Sequence, residues 1–94
     1  MKKIPRLNPG DAIEIIWIDS HSCVGTWQDA SEVMRQPEFT IRSVCQYLGR
    51  DKDYLCTVAD RSPEQPDGVM RDLKIPRGCI KRVKKLGGFR NARK

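Results

Sequence analysis

The chain is predicted to fold as a small all-β domain of five antiparallel strands with one short helix in the connection after the first strand. Three stretches carry that expectation. Ala12-Ile13-Glu14-Ile15-Ile16-Trp17-Ile18 is too short and too rich in β-branched residues for a stable helix and reads as a strand. Residues 38–48 alternate for much of their length and 53–59 more weakly, on either side of Gly49-Arg50-Asp51-Lys52, which is a hairpin signal. Two apolar-and-basic runs, Leu73-Lys74-Ile75 and Cys79-Ile80-Lys81-Arg82-Val83, are separated only by Pro76-Arg77-Gly78. Proline ends the first ladder there and glycine lets the backbone turn into the second.

Taken in order, Asn8-Pro9-Gly10-Asp11 is turn chemistry leading into the first strand. That strand is apolar on both faces except at Glu14, so it is expected at the centre of the sheet and well covered. Asp19-Ser20-His21-Ser22-Cys23-Val24-Gly25-Thr26-Trp27 breaks the pattern with small polar residues. It reads as a long loop whose closing tryptophan packs back onto the strands. Asp29-Ala30-Ser31-Glu32 is close to a capping box, and Gln36-Pro37 is a stop signal, so one or two helical turns are expected across 29–36. A hairpin centred on Arg50 and Asp51 would set Cys45 opposite Cys56 and Tyr47 opposite Tyr54. Residues 60–68, rich in proline and charge, read as an exposed loop. Strands over 69–75 and 79–84 come next, Gly87-Gly88 ends the fold, and the rest is a frayed basic tail. Strands joined by one turn of 3₁₀ helix at 76–78 are how small five-stranded SH3-like and Sm-like barrels connect their last two strands, and that barrel is the predicted architecture, a single domain over 1–94.

A chain of 94 residues buries only about two-thirds of its unfolded surface, which makes a private cleft hard to build. A ligand pocket is therefore expected between copies in a homo-oligomer. No run approaches the roughly 18 apolar residues of a membrane helix, and Met1-Lys2-Lys3-Ile4-Pro5-Arg6 has no apolar segment behind it, so no membrane partner and a cytoplasmic location are expected. Cys23, Cys45, Cys56 and Cys79 lack the paired spacing of zinc ligands and read as free thiols used as small apolar residues; no metal or cofactor is predicted. The net charge of +6 is unevenly spread. Residues 73–94 hold nine basic residues and no acid, and residues 1–10 hold Lys2, Lys3 and Arg6, while residues 11–72 carry all twelve acids. A phosphate-binding surface should therefore draw on the last strands and the tail.

Asp19, Ser20, His21 and Ser22 contain the residue types of a hydrolase triad, yet neighbours in one loop cannot present nucleophile, base and orienter in line. The chain is expected not to be an enzyme. Asp19 and Ser20 are expected instead to shape the loop through backbone hydrogen bonds. Arg77, Lys81, Arg82, Lys84 and Lys85 form the strongest charge feature. On a strand Lys81 and Val83 share one face while Arg82 and Lys84 share the other. The cations can serve phosphate recognition or protect an edge strand from aggregation. Trp17, Trp27, Tyr47 and Tyr54 can stack on bases or fill the core.

Trp17-Ile18-Asp19-Ser20, Gly25-Thr26-Trp27 and Ile75-Pro76-Arg77-Gly78-Cys79-Ile80 together resemble a group of small phage and prophage proteins. The group has a tryptophan-x-aspartate-serine opening, a glycine-tryptophan element and an isoleucine-proline-basic-glycine-cysteine-isoleucine ending. The likeness spans about residues 10 to 86, and Thr26 departs from it. It implies a phage accessory protein with an SH3-like barrel and no assigned catalytic residues. By looser analogy the chain is similar in size and expected assembly to viral sponges, small oligomers that sequester the nucleotide signals of host antiphage defence. The expected function is thus a non-enzymatic homo-oligomer in the host cytoplasm that binds a small anionic nucleotide such as a cyclic oligonucleotide. Its expected ligand-binding residues are Trp17, Asp19, Ser20, Trp27, Arg77 and Lys81. The alternatives are a nucleic-acid-binding module using the basic C-terminal strands and tail, and a structural or protein-interaction barrel.

Overall fold

A computed structural model of the chain describes residues 4–20, 27–62, 64–65 and 68–87. Its elements are β1 (Ala12–Asp19), α1 (Ala30–Arg35), β2 (Phe39–Arg50), β3 (Tyr54–Arg61), β4 (Val69–Pro76), a 3₁₀ turn (Arg77–Cys79) and β5 (Ile80–Gly87). All five strands join one antiparallel sheet in the order β4-β3-β2-β1-β5. The all-β reading therefore holds, with β1 inside the sheet between β2 and β5. Asn8-Pro9-Gly10-Asp11 makes the expected turn: Asp11 accepts from the Asn8 N–H at 2.7 Å through Oδ2, and Gly10 takes a φ of 98° that only glycine adopts readily.

The sheet cannot be flat. Its two edges would stand about 19 Å apart across four strand spacings, whereas the 3₁₀ turn that joins edge strand β4 to edge strand β5 reaches at most about 14 Å. The sheet curls to bring those edges near each other, yet β4 and β5 do not pair and the sheet stays open between them. β2 supplies much of the bend by serving two partners in turn. Its residues 39–46 pair with β1 and 46–50 with β3, with a register break between Tyr47 and Gly49.

Inside the curl lies one cluster. Ile13, Ile15, Leu55 and Ile75 are fully buried, Tyr47, Ile80 and Val83 nearly so, and Ile4, Leu7, Trp17, Cys45, Leu73 and Cys79 pack around them. On β1 the alternation of period two sends Ile13, Ile15 and Trp17 inward and Glu14, Ile16 and Ile18 outward. Each fully buried isoleucine or leucine contributes about 1.5–3 kcal/mol relative to leaving it exposed.

Three expectations are corrected. Tyr47 pairs with Thr57 and Gly49 with Cys56, so Cys45 does not oppose Cys56, nor Tyr47 oppose Tyr54. The cause is Asp51: its Oδ1 accepts from the N–H groups of Asp53 and Tyr54, both at 2.8 Å, which moves the turn onto residues 51–53. Cys45, Cys56 and Cys79 are free thiols, and Cys23 lies outside the described residues. The second correction concerns Trp27, which is fully exposed instead of packed on the sheet. The helix after it forms where expected, but the capping box does not. The Asp29 carboxylate accepts from the Ser31 hydroxyl at 2.8 Å and leaves the helix N-terminus without a side-chain cap.

Candidate functional site

In an antiparallel pair, residues directly opposite share a face. On the outer face of the sheet Glu14 stands between Val44 of β2 and Lys84 of β5, and Ile16 stands between Arg42 and Arg82. Three cations from two neighbouring strands thus surround one carboxylate. Arg42 donates through Nε to Glu14 Oε2, and Arg82 Nη2 lies 3.9 Å from Oε1. Glu14 is only 8% exposed, while the side chains of Arg42 and Arg82 are 68% and 69% exposed. The Arg42 hydrogen bond holds the Glu14 carboxyl below its ordinary value against the opposing effect of burial, with Arg42, Arg82 and Lys84 also lowering it through their charge. A guanidinium has five N–H donors, so Arg42, anchored on the carboxylate, keeps most of its donors for solvent or a ligand. Anchoring matters because an arginine that is already oriented loses less freedom when it binds phosphate. The cluster carries a net charge of +2 and is bordered by half-buried Ile16 and Ile18 and exposed Val44.

The residues expected to bind ligand do not form one site. Trp17, Asp19 and Ser20 lie at the C-terminal end of β1. There Trp17 pairs with Ile80, which precedes Lys81, and Asp19 pairs with Phe39, which comes after Glu38. Lys81 occupies the register break opposite Ile16 and Trp17 and pairs through Nζ with Glu38 Oε1 at 3.0 Å. Trp17 packs on the core and donates from its ring N–H to Ser43 Oγ at 3.0 Å, so its ring belongs to the interior face. Asp19 Oδ1 accepts from the Ser20 N–H at 2.9 Å, the loop-shaping bond expected of it. Arg77 turns toward the β2–β3 hairpin: Nη1 donates to the Asp51 carbonyl at 3.0 Å and its backbone N–H to the Asp53 carbonyl at 2.8 Å. Trp27 stands apart on the exposed segment before α1. His21, Ser22, Gly25, Thr26 and the tail from 88 lie outside the described residues.

Glu14 and Arg42 are the members that sequence reasoning missed. The available signal was a lone acid in an apolar strand together with Arg82 and Lys84 at period two on a later strand; Arg42 needed the β1–β2 register. A separate pocket between the β3–β4 loop and β4, lined by Arg61, Ser62, Gln65 and Met70 among others, holds about 150 Å³. That is below the roughly 300–1,000 Å³ of ordinary ligand pockets, and no predicted site residue lines it. Among the described residues no group of three or more His, Cys, Asp or Glu is arranged to hold a metal ion, and no helix is long and apolar enough to cross a membrane. No family model, curated protein or solved structure matches the chain.

Proposed function

We propose that the chain is a non-enzymatic binding protein, a phage accessory protein of the sponge kind, that works as a homo-oligomer and holds a small anionic nucleotide, a cyclic oligonucleotide of host defence being the leading candidate. The observation that carries this reading is the outer-face cluster: Arg42 and Arg82 set against a nearly buried Glu14, with Lys84 beside them. The Arg42 guanidinium, oriented by Glu14, with Arg82 and Lys84 beside it on the same face, suits a compact phosphate ligand. The strand order, with a 3₁₀ turn before the last strand, supports an SH3-like or Sm-like barrel as the finer description of the fold.

Calorimetry against cyclic dinucleotides and short duplexes at several salt concentrations tests the reading. A cyclic dinucleotide should bind with a shallow salt dependence, because it displaces few counterions. Preference for duplex with a steep slope would instead assign the face to nucleic acid. A second reading, a protein-interaction domain without a small ligand, is favoured by the exposed Trp27, Val33 and Met34 and is what remains if neither probe binds.

A further inference from the structure

Every residue from 27 to 40 is exposed, and α1, six residues long, buries none of its side chains. A helix that short is not stable in water by itself, since isolated helices under about 12–15 residues are marginal even in favourable sequences. No residue of this segment is buried within its own chain, and it presents Trp27 fully, Met34 at 84% and Val33 at 44% exposure. The radius of gyration is 16.6 Å and the greatest extent 58 Å, against a radius of about 12 Å for a compact chain of this length. Residues 27–37 thus form an exposed arm whose apolar side chains are open to contact by another surface.

The outer β2–β1–β5 face has the matching chemistry. Val44 is 61% exposed there, with Ile16 and Ile18 half-buried beside it, so apolar contact surface is interleaved with Arg42, Arg82 and Lys84. The arm carries Asp29 and Glu32 against Arg35, a net charge of −1, and the face carries +2. Their association is electrostatically favourable and leaves positive charge for an anion. In a two-fold dimer each arm would cross to the other copy and the buried area would double.

We infer that the arm of one copy lies across the outer β2–β1–β5 face of a second copy and brings Trp27 to the Arg42–Arg82–Lys84 cluster, so that the site is completed between chains. The docking stands by itself. The composite site rests on the nucleotide reading, for which Trp27 supplies the stacking surface that the cluster of a single chain lacks.

Sedimentation measurements and cross-linking test the docking on the full chain. The chain should sediment as a dimer or higher oligomer, and Glu32→Lys or Arg82→Glu should each weaken self-association at least about tenfold. The two together should restore it, with circular dichroism unchanged in all three. A photoreactive phenylalanine analogue replacing Met34, in a mixture of isotopically light and heavy chains, should link to residues 40–46 or 80–84 of the other copy. A monomer at high concentration, or links confined to one chain or running from arm to arm, would overturn the docking. For the composite site, the probe is a cyclic dinucleotide. Trp27→Phe should retain most of its binding, and Trp27→Ala should lose at least about tenfold. Unchanged binding by Trp27→Ala would overturn the composite site alone, whereas an intact oligomer that binds no nucleotide would overturn the nucleotide reading and leave the docking standing.

Discussion

The interior of the sheet and the arm before β2 are opposite solutions in one short chain. In the interior Ile13, Ile15, Leu55 and Ile75 have no exposure at all, each meeting neighbours from other strands. In the arm no residue is buried, although Trp27, Val33 and Met34 are large apolar side chains. Hydrophobic side chains are thus divided between folding the chain and reaching beyond it, and exposure separates the two uses where composition cannot.

Truncating side chains in both regions should separate them most clearly. Ile15→Ala or Ile75→Ala should cost about 2–5 kcal/mol in urea unfolding. Val33→Ala or Met34→Ala, measured in dilute solution, should stay within about 0.5 kcal/mol. If the arm substitutions destabilise the monomer as much as the core ones, the arm belongs to the fold and the contrast is lost.

A smaller effect is expected at Arg77. Its guanidinium ties the 3₁₀ turn to the β2–β3 hairpin through the Asp51 carbonyl, so Arg77→Ala should cost about 1 kcal/mol, less than a buried charged hydrogen bond because this one is open to solvent. Nucleotide affinity should be unaffected. A loss of binding with unchanged stability would return Arg77 to the ligand site that its position in the sequence suggested.

Acid should act more gently still. Arg42 holds the Glu14 carboxyl below its ordinary 4.5, and the N–H groups of Tyr54 and then Asp53 hold that of Asp51 below 3.8. A carboxyl with a depressed folded-state value contributes stability that is fully present above its unfolded value and is lost as pH falls through the folded one. The melting temperature should therefore be level from neutrality to about pH 5 and decline below about pH 4. Glu14→Gln should flatten part of that decline. An acid profile identical to that of the intact chain would mean that Glu14 is not held by Arg42 and Arg82 as the geometry requires.

The strands were legible in the sequence because β-branched alternation and turn residues are local signals. The β-branched run of residues 12–18 has no counterpart in α1, yet the start and stop of that helix were also readable, from Asp29 and from Gln36-Pro37. Register was not legible. The side chain of Asp51 chose the turn, and the break near Leu48 shifted the pairing, so the cysteine and tyrosine pairs expected across the hairpin do not form. The same limit hid the site. Arg82 and Lys84 were correctly placed on one face, but Arg42 is 28 residues from Glu14 and meets it only through strand pairing. Trp27 was misplaced for another reason: a tryptophan after a polar loop carries no local mark of whether its partner lies in the same chain or in another.

Calorimetric titration of a cyclic dinucleotide into the intact chain, the Arg82→Gln/Lys84→Gln double variant and Arg77→Ala decides whether the outer-face cluster holds the ligand. The double variant spares the Arg42–Glu14 pair, so the fold should be kept. With about 1.5–3 kcal/mol for each charged hydrogen bond, its affinity should fall by at least about tenfold while Arg77→Ala binds like the intact chain. Equal affinity in the intact chain and the double variant, or no binding by the intact chain, would mean that the outer-face cluster is not a nucleotide site.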